Sequence, residues 1–589
     1  MLPLLTSKIA KARRSVNTFE GLNLQPDAKY SNLCDDYNTQ SGMYPYLKSR
    51  SPRYELKDVS GTVCDLNADT RLYYVYTDKT QKMLSYNDKS YVIGQTEDEV
   101  KDVHTSKIGS DIFILPDKKV FHAQDESVET LNNSLSFDGQ YSYLKCQDEF
   151  PSYATGFDKN VIAAVTSTGI YARVQGSSSA FYYINFTNTF KAGDVVNIKA
   201  TVYPEPATYD ENYYALVNKF KDGINVKLTG VKKTTHKLNK KQYIEYTALL
   251  YDTDAVSLGG FETVDIADIT VSRPVPDLVD VCALNNRLWG VSKNAIHTSK
   301  LGDASEWNDF STDSYGTLPS SCFTAEVDTG GYFTAVCVYN GNVLAFKENC
   351  IHKIYGDRPD EYTIVTQDCP GVQKGAEKTL AVLDGVLYYK GTNGVYAYSG
   401  SSPVLISSPL GDSSFTAQYA ATDGICYYIA ASYNQNNVIY SYNPRRNIWH
   451  IHSGYADLTA MAQYNNALCM AVENKIITSG IGSKASEIQT EWHFAMKFNE
   501  NSYNRKSYTK LKIKYSLKDG AYFYMSVYYD DNPIKKYAHS EFNTDENGYA
   551  FIPLPQYGCR EIKVVFEGKG DFTLKNLTRE YITQNEGGK

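Results

Sequence analysis

The chain has 589 residues, enough for roughly three or four domains of ordinary size. Hydrophobic residues make up 42% and charged residues 21%, a balance that excludes a disordered chain. The net charge is −8 and no domain-sized stretch is basic, which argues against tight binding of DNA, and no apolar run is long enough to span a membrane.

Two residue types are informative by their number and placement. The 51 tyrosines predict a β-protein with large contact surfaces, because tyrosine favours strands and its ring suits a surface with one wet edge. Strand propensity by itself accounts for the number equally well. The eleven cysteines occur singly, never as Cys-x-x-Cys, and predict small core residues of a protein folded in a reducing cytosol.

Residues 1–54 differ from the rest of the chain. They begin with a basic cluster of Lys8, Lys11, Arg13 and Arg14 and continue with frequent Pro and Gly. This composition predicts an extended N-terminal arm that lies on a neighbouring molecule or on its own chain. The basic start indicates a solvated end, or alternatively a contact with nucleic acid.

A repeated phrase of short strands and tight turns follows, in residues 55–122 and again in residues 278–482. Pairs such as Asn285-Asn286 and Asp384-Gly385 predict hairpin turns, which need positive φ angles. The period of about 40 residues is that of a four-stranded propeller blade. We count about seven units, and six or eight would also fit. The alternative is an ordinary antiparallel sandwich with repeated hairpins.

Two further segments interrupt or follow the repeat, and both predict small β-sandwiches. Residues 123–277 form an inserted domain, and residues 483–589 form a C-terminal domain. In the insert, the predicted strands include Asp194–Tyr203 and Tyr213–Val217. The predicted fold class is therefore all-β: a β-propeller of about 6–8 blades with an inserted and a C-terminal β-sandwich domain.

A search for chemistry-bearing motifs finds no nucleotide-binding loop, zinc-protease motif or hydrolase nucleophile elbow. His450 and His452 share one strand face, but two ligands do not make a metal site, and a satisfied core pair is the favoured interpretation. Asp35-Asp36 and Asp530–Pro533 lack the alternating ligands of a calcium loop and predict turns. We therefore predict no catalytic, cofactor-binding or metal-binding residues, no cofactor, and a protein that is not an enzyme.

Several phrases together resemble the propeller-bearing tail proteins of double-stranded DNA bacteriophages. The resemblance covers about residues 17–53 and 278–480. The phrases that carry it are Gly21-Leu22-Asn23, Asp35–Asn38, Tyr44–Leu47 with Arg50, Pro52 and Arg53, Leu284–Gly290, Ser299, Gly302-Asp303, Trp307–Phe310, Asn340–Lys347, Tyr355-Gly356, Gly371-Val372 and Gly391–Tyr398.

The chain is most similar to the tail nozzle, or DNA-stabilisation, proteins of short-tailed phages. The resemblance implies a tail nozzle or tail-tube component that forms a homo-hexameric ring around the path of DNA exit in the virion tail, assembled in the cytoplasm of the host bacterium. It also implies contacts with portal, adaptor and other tail proteins, and transient, non-specific contact with double-stranded DNA that passes through. It implies no contact with a membrane.

Two other functions stay open on the sequence alone. In the first, the chain is a tail adhesin whose sandwich domains bind glycans, with tyrosines as stacking platforms. In the second, it is a propeller glycosidase, which would need two carboxyl groups about 5–10 Å apart in a pocket at the propeller axis.

Overall fold

A computed structural model shows a chain that is almost entirely antiparallel β-sheet. It divides into two compact units: unit 1 comprises Met1–Val100, Phe346–Ile351 and Asp368–Lys589, and unit 2 comprises Lys101–Ala345 and His352–Gln367. The described residues are 11–95, 103–131, 134–144, 165–166, 169–173, 181–183, 194–203, 211–238, 241–252, 263–310, 319–411, 415–433, 436–479, 490–499, 504–518, 520–530, 532, 537–539, 542 and 548–583.

The N-terminal part of unit 1 contains nine strands among its described residues. They are β1 (Ala12–Val16), β2 (Asp35–Tyr37), β3 (Thr39–Gln40), β4 (Leu47–Ser49), β5 (Arg53–Asp58), β6 (Thr62–Ala68), β7 (Leu72–Asp78), β8 (Gln81–Tyr86) and β9 (Lys89–Gln95).

The middle of the chain contains twenty described strands and helix α1. They are β10 (His104–Ile108), β11 (Asp111–Leu115), β12 (Lys119–His122), β13 (Ser127–Thr130), β14 (Ser134–Leu144), β15 (Val165–Thr166), β16 (Gly169–Arg173), β17 (Phe181–Tyr183), β18 (Val195–Tyr203), α1 (Glu211–Asp222), β19 (Ile224–Leu238), β20 (Lys241–Asp252), β21 (Thr263–Ser272), β22 (Asp280–Leu284), β23 (Arg287–Val291), β24 (Ala295–Thr298), β25 (Phe323–Glu326), β26 (Phe333–Tyr339), β27 (Asn342–Lys347), β28 (Cys350–Tyr355) and β29 (Thr363–Asp368).

The C-terminal part of unit 1 contains the remaining described strands and two short 3-10 helices, Glu377–Thr379 and Ser408–Leu410. The strands are β30 (Ala381–Leu383), β31 (Val386–Gly391), β32 (Gly394–Tyr398), β33 (Val404–Leu405), β34 (Thr416–Thr422), β35 (Tyr427–Tyr433), β36 (Asn436–Asn443), β37 (Ile448–Ser453), β38 (Leu458–Tyr464), β39 (Ala467–Val472), β40 (Lys475–Ser479), β41 (Glu491–Phe498), β42 (Lys506–Leu517), β43 (Tyr522–Tyr529), β44 (Tyr537–His539), β45 (Gly548–Pro553), β46 (Gly558–Cys559), β47 (Ile562–Lys569) and β48 (Phe572–Thr583).

Seven four-stranded antiparallel sheets recur along the described chain. Six of them are β6–β9, β10–β13, β22–β25, β26–β29, β30–β33 and β34–β37, each with its strands in chain order. The seventh consists of β38, β39 and β40, and its outer strand is β5 from the N-terminal segment. The sequence did not assign an outer strand to any of these sheets.

The predicted hairpin turns are confirmed. Asn285 and Asn286 have φ angles of 51° and 58°, and Asp384 and Gly385 have φ angles of 51° and 75°. These left-handed conformations match the right-handed twist of the flanking strands, and Asn, Asp and Gly tolerate them best.

Apolar clusters lie between successive sheets within each unit. In unit 1, Tyr388 and Trp449 belong to the cluster shared by β30–β33 and β34–β37. In unit 2, Phe113 and Leu288 belong to the cluster shared by β10–β13 and β22–β25. Because such a sheet is covered on both faces, β23 is buried at every position instead of alternating.

The first strands of these sheets contact one another in series. Within unit 1 the order of contacts is β30, β34, β38 and β6, and within unit 2 it is β10, β22 and β26. In both units, therefore, each first strand lies beside the first strand of the next sheet.

Unit 1 also contains two larger sheets that share one core. The first joins β3, β4, β48, β42 and β45 in that order, with β1 also on β48 and β46 also on β42. The second joins β2, β41, β47, β43 and β44. Their common core includes Trp492, Phe523 and Phe572 from the C-terminal segment, and Phe19 and Leu47 from the N-terminal segment. The segment predicted to be an extended N-terminal arm thus forms strands of these sheets.

The segment between β13 and β22 contains more than strands. Its five-stranded sheet has the order β14, β21, β18, β19 and β20, and β15–β17 form a three-stranded sheet. The strand predicted at Tyr213–Val217 is wrong, because these residues lie in α1, which packs against β18. The helical spacing of Tyr214, Val217 and Phe220 appears only when the pattern is followed as far as Phe220. The five residues Tyr213–Val217 by themselves also fit a strand.

Two predicted domain limits fall within strands or sheets of the structure. β13 pairs with β12 but follows residue 122, where we placed the start of the insert. β5 spans the limit between residues 54 and 55. None of the helices among the described residues meets the length and hydropathy needed to cross a membrane.

The position of Phe19 gives a test of the N-terminal segment. Phe19 is 1% exposed in the shared core, whereas Leu24 of the same segment is 49% exposed. We expect Phe19→Ala to lower the free energy of unfolding by about 3–5 kcal/mol, because it leaves a cavity between the two large sheets. Leu24→Ala is the matched control and should cost about 1 kcal/mol or less. Denaturation followed by tryptophan fluorescence measures both, and equal effects would contradict the integrated position of this segment.

Candidate functional site

An open cleft of about 350 Å³ lies in unit 1, at the ends of the contacting first strands β6, β30, β34 and β38. Its walls consist mainly of alanine and larger aliphatic side chains. The polar lining residues are Asn67, Thr422 and Gln463. The small alanines follow from the convergence of four strands, which leaves little room for side chains.

The polar side chains of the cleft bond to each other or to neighbours. The Thr422 hydroxyl donates to Oε1 of Gln463 at 2.6 Å, and the Asn67 amide donates to Asp65 at 2.7 Å. Lys378 also donates to the Asp65 carboxylate, at 3.1 Å. The acid beside the cleft is therefore neutralised by a lysine.

This arrangement determines what the cleft can do chemically. As far as the structure describes it, its lining has no ionisable side chain. Glycoside hydrolysis needs two carboxyl groups about 5–10 Å apart, one of which donates a proton. The cleft offers weak hydrogen bonding and apolar contact, and no acid–base pair within its walls.

The two histidines that the sequence placed on one strand face are both buried in β37. Nδ1 of His450 donates to Asp36 at 2.7 Å, and Nε2 of His452 donates to the carbonyl of Thr39 at 2.9 Å. The pKa of His452 lies well below its usual range, mainly because the ring is buried, so this ring is neutral. Both histidines connect β37 to the N-terminal segment.

The acidic pairs considered for calcium have other roles. Asp36 is buried and accepts hydrogen bonds from Thr39 and His450. Asp530 has the positive φ of a turn residue, 51°, and its carboxylate accepts from the backbone N–H groups of Arg560 and Glu561. Asp531 and Pro533 lie outside the described residues. Within the described part of the chain, no three His, Cys, Asp or Glu side chains are grouped so as to hold a metal ion.

The basic start of the chain is described only in part. Lys8 lies outside the described residues. Arg13, on β1, donates to Glu580 of β48 at 2.8 Å. One of the four predicted basic residues thus pairs within unit 1.

The ten described cysteines are all free thiols, and half of them are buried. Burial raises the pKa of Cys426 to about 12 and that of Cys369 to about 11. These two side chains remain protonated near neutral pH, where a thiol is a poor nucleophile. This agrees with their predicted role as small packing residues.

Sequence reasoning missed a buried charged network in unit 2. Its centre is Arg273, which directly follows β21 and is 2% exposed. Arg273 pairs with Asp194 at 2.9 Å and with Glu129 at 3.1 Å. Glu129 also contacts His122 at 3.0 Å. These ion pairs connect both ends of the β18–β21 segment to the sheet β10–β13. In the sequence, only the charged residues that flank this segment indicate such a network.

Glu306 belongs to the same buried region. Its carboxylate accepts hydrogen bonds from the backbone N–H groups of Val195, at 2.9 Å, and Asn308, at 2.8 Å. Burial nevertheless raises the pKa of Glu306 to about 7. The pKa of His122 is also raised: burial opposes its charge, but its hydrogen bonds to Glu129 and Asp111 outweigh burial.

Comparisons with known proteins identify no family. No family model matches the chain, and no curated protein matches it. Similar solved structures include a glutaminyl cyclase of Myxococcus xanthus, with 7% identity and a TM-score of 0.19, covering 34% of this chain and 88% of that one. An exo-β-1,3-galactanase of Phanerochaete chrysosporium has 9% identity and a TM-score of 0.20, covering 51% of this chain and 95% of that one.

An arabinoxylan arabinofuranohydrolase of Bacillus subtilis, from glycoside hydrolase family 43, has 11% identity and a TM-score of 0.18. The match covers 52% of this chain and 95% of that one. At TM-scores this low, these similarities carry no conclusion about the fold or the activity of this chain.

The raised pKa of Glu306 predicts a pH-dependent stability of unit 2. The folded state favours the protonated acid. Glu306 therefore makes its full contribution to the free energy of unfolding below about pH 4.5, and this contribution is lost as the pH rises through about 7. We expect the free energy of unfolding to fall by about 3 kcal/mol over this range. Glu306→Gln should remove this part of its dependence on pH. Urea denaturation at pH 5 and pH 8 measures it.

The matched control is Glu361→Gln, since the Glu361 side chain is 52% exposed in the same unit. This variant should keep the wild-type difference between pH 5 and pH 8. An unchanged difference in Glu306→Gln would contradict the assignment.

Proposed function

We propose that the chain is a structural protein of a bacteriophage tail, and specifically a tail nozzle component that forms a homo-oligomeric ring around the path of DNA exit. The observation that carries this proposal is the integration of the N-terminal segment into unit 1. β1–β4 belong to the two large sheets built from residues 490–583, and β5 is the outer strand of the sheet β38–β40. This design favours rigidity over access to a reactive site.

The proposal includes a finer fold. We infer that the seven four-stranded sheets are blades of one β-propeller, and that the two large sheets and the insert are β-sandwich domains. Support comes from the first strands that contact in series within each unit, and from the apolar clusters between successive sheets. β5 would then be the strand that closes the ring of blades.

Rigidity is the property that a tail component around the path of DNA exit needs. Opening the sheet β38–β40 at its outer edge requires β5 to leave, and β5 is continuous with β4, which lies in the seven-stranded sheet. Local unfolding of either part is therefore coupled to the other. Such coupling raises the free energy of partial opening toward that of global unfolding.

The charge of the chain suits a passage for DNA. The net charge is −8, and a surface without net positive charge does not retain a polyanion. The neutral lining of the unit 1 cleft is consistent with the same requirement. We expect contact with double-stranded DNA to be transient and non-specific.

The proposed partners and location follow from this role. We expect a homo-hexamer that stacks on the portal and adaptor proteins and contacts other tail proteins, with no cofactor. Free thiols, half of them buried among the described cysteines, suit assembly in the bacterial cytoplasm before incorporation into the virion.

A glycan-binding adhesin is the second candidate function. It is favoured by Tyr522 and Tyr524, which are each 40% exposed and whose rings lie 5.6 Å apart on the outer face of β43. Paired exposed rings are suitable stacking platforms for sugars. A propeller glycosidase is less favoured, because the described lining of the cleft offers no pair of carboxyl groups.

Electron microscopy of the purified protein with and without a phage portal–adaptor complex tests the nozzle proposal. We expect closed rings that stack coaxially on the portal assembly. As a control, the Leu24→Ala variant should form the same stacks, because its side chain packs in no core. Particles that ignore the portal complex but bind bacterial surface glycans would replace the nozzle with the adhesin.

A further inference from the structure

Strand β45 exposes two aromatic rings on one face of the seven-stranded sheet. Tyr549 is 60% exposed and Phe551 is 63% exposed, whereas the alternating residues Ala550 and Ile552 are buried in the shared core. Successive residues of a strand point to opposite faces, so the two rings share the outer face about 6.8 Å apart along the strand. An exposed large aromatic pair is unusual enough to indicate a contact surface.

A row of lysines lies beside these rings on β42. Lys514 is directly opposite Tyr549, Lys512 is opposite Phe551 and Lys510 is opposite Pro553. Nζ of Lys514 lies 5.4 Å from the centre of the Tyr549 ring. The lysines repeat at the same interval as the rings, because both occupy every second position of paired strands.

The neighbouring strands add one cation and one acid to this face. Lys512 pairs with Glu580 at 2.6 Å, and Arg13 pairs with the same carboxylate. These positions therefore hold four cations and one carboxylate. Residues 490–583 contain 14 Lys and Arg against 12 Asp and Glu, whereas the whole chain carries a net charge of −8. This part of the chain is therefore less acidic than the chain as a whole.

The local sequence has a recognisable pattern with a physical reason. Gly548-Tyr549-Ala550-Phe551-Ile552 matches the Gly-aromatic-small-aromatic-aliphatic core of the strand motif by which RNA-recognition sheets stack bases. A Cβ atom at Gly548 would lie 2.3 Å from the ring of Tyr515, so glycine is required for the strand to pass over that ring. The lysine or arginine that begins the motif is replaced by Asn547.

We propose that this face, defined by Tyr549, Phe551, Lys510, Lys512 and Lys514, binds single-stranded nucleic acid. Each two-residue step of the paired strands presents one ring and one lysine, and each nucleotide presents one base and one phosphate. The bases stack on Tyr549 and Phe551, and the phosphates lie along the lysine row. Paired bases of a duplex do not offer their faces to a flat sheet, so the site selects unpaired strands.

This inference does not depend on the nozzle proposal. It rests on the surface of the β42–β45 pair in unit 1, and it holds for a monomer or a ring. Charge complementarity selects the occupant: the face is cationic, and a nucleic acid supplies phosphates for the lysine row together with bases for the two rings, whereas a neutral saccharide supplies no negative charge.

The binding test uses the full chain and a fluorescein-labelled oligothymidylate of about 12 nucleotides, followed by fluorescence anisotropy. We expect Tyr549→Ala/Phe551→Ala to raise the dissociation constant at least about 20-fold, because two stacking contacts are lost. We expect Lys510→Gln/Lys514→Gln to reduce the salt dependence of log K by about 1.4, since each phosphate contact of a single strand contributes roughly 0.7.

The matched control is Tyr522→Ala/Tyr524→Ala. This pair also occupies alternate positions of one strand, but its neighbours on β47 are Lys569 and Glu567 instead of a lysine row. It should leave the dissociation constant unchanged within about twofold. Thermal unfolding of each variant should match that of the wild type, because all four rings lie outside the cores.

Three results would overturn the proposal. One is an oligonucleotide affinity that Tyr549→Ala/Phe551→Ala does not change. Another is equal affinity for a duplex of the same length, which would show charge attraction without stacking. The third is binding of an anionic polysaccharide, or a self-association detected by light scattering, that depends on Tyr549 and Phe551 while the oligonucleotide does not bind.

Discussion

The pairing of the N-terminal strands with the end of the chain is the constraint on which unit 1 depends. β5 pairs with β40, and β1, β2 and β4 pair with β48 and β41, across more than 400 residues of intervening sequence. Phe19 and Leu47 complete the core between the two large sheets. The buried pair of His450 and Asp36 ties the same segment to β37. The termini therefore hold together sheets that the intervening chain alone would leave open at their edges.

In both units, buried polar side chains hold neighbouring segments of the chain in position. In unit 2, Arg273 joins Asp194 and Glu129 where the β18–β21 segment leaves the four-stranded sheets. Arg287 is buried as well and donates to three backbone carbonyls, those of Ser299, Ser321 and Pro319. A buried ion pair contributes little net stability, but removing one partner is costly, so these residues fix the position of loops more than they add free energy.

The sequence predicted the parts of this fold whose signals are local. Hairpin turns such as Asn285-Asn286 appear in a window of a few residues, and the 40-residue repeat appears in the spacing of such turns. The partners of β1–β5 could not be predicted, because these short strands are polar or irregular and their partners lie far along the chain. The same applies to Arg273, whose partners Asp194 and Glu129 come from separate segments, and to the cleft, which four separate strands line. Helix α1 was missed because a five-residue window around Tyr214 fits either periodicity.

We propose that this chain assembles into a homo-oligomeric ring. Light scattering on the purified chain tests it most directly, because the mass of one chain is 66.1 kDa. We expect a single species of about six chains that persists on dilution, as is typical of a closed cyclic assembly. A stable monomer at every concentration, also in the presence of portal and adaptor proteins, would contradict it.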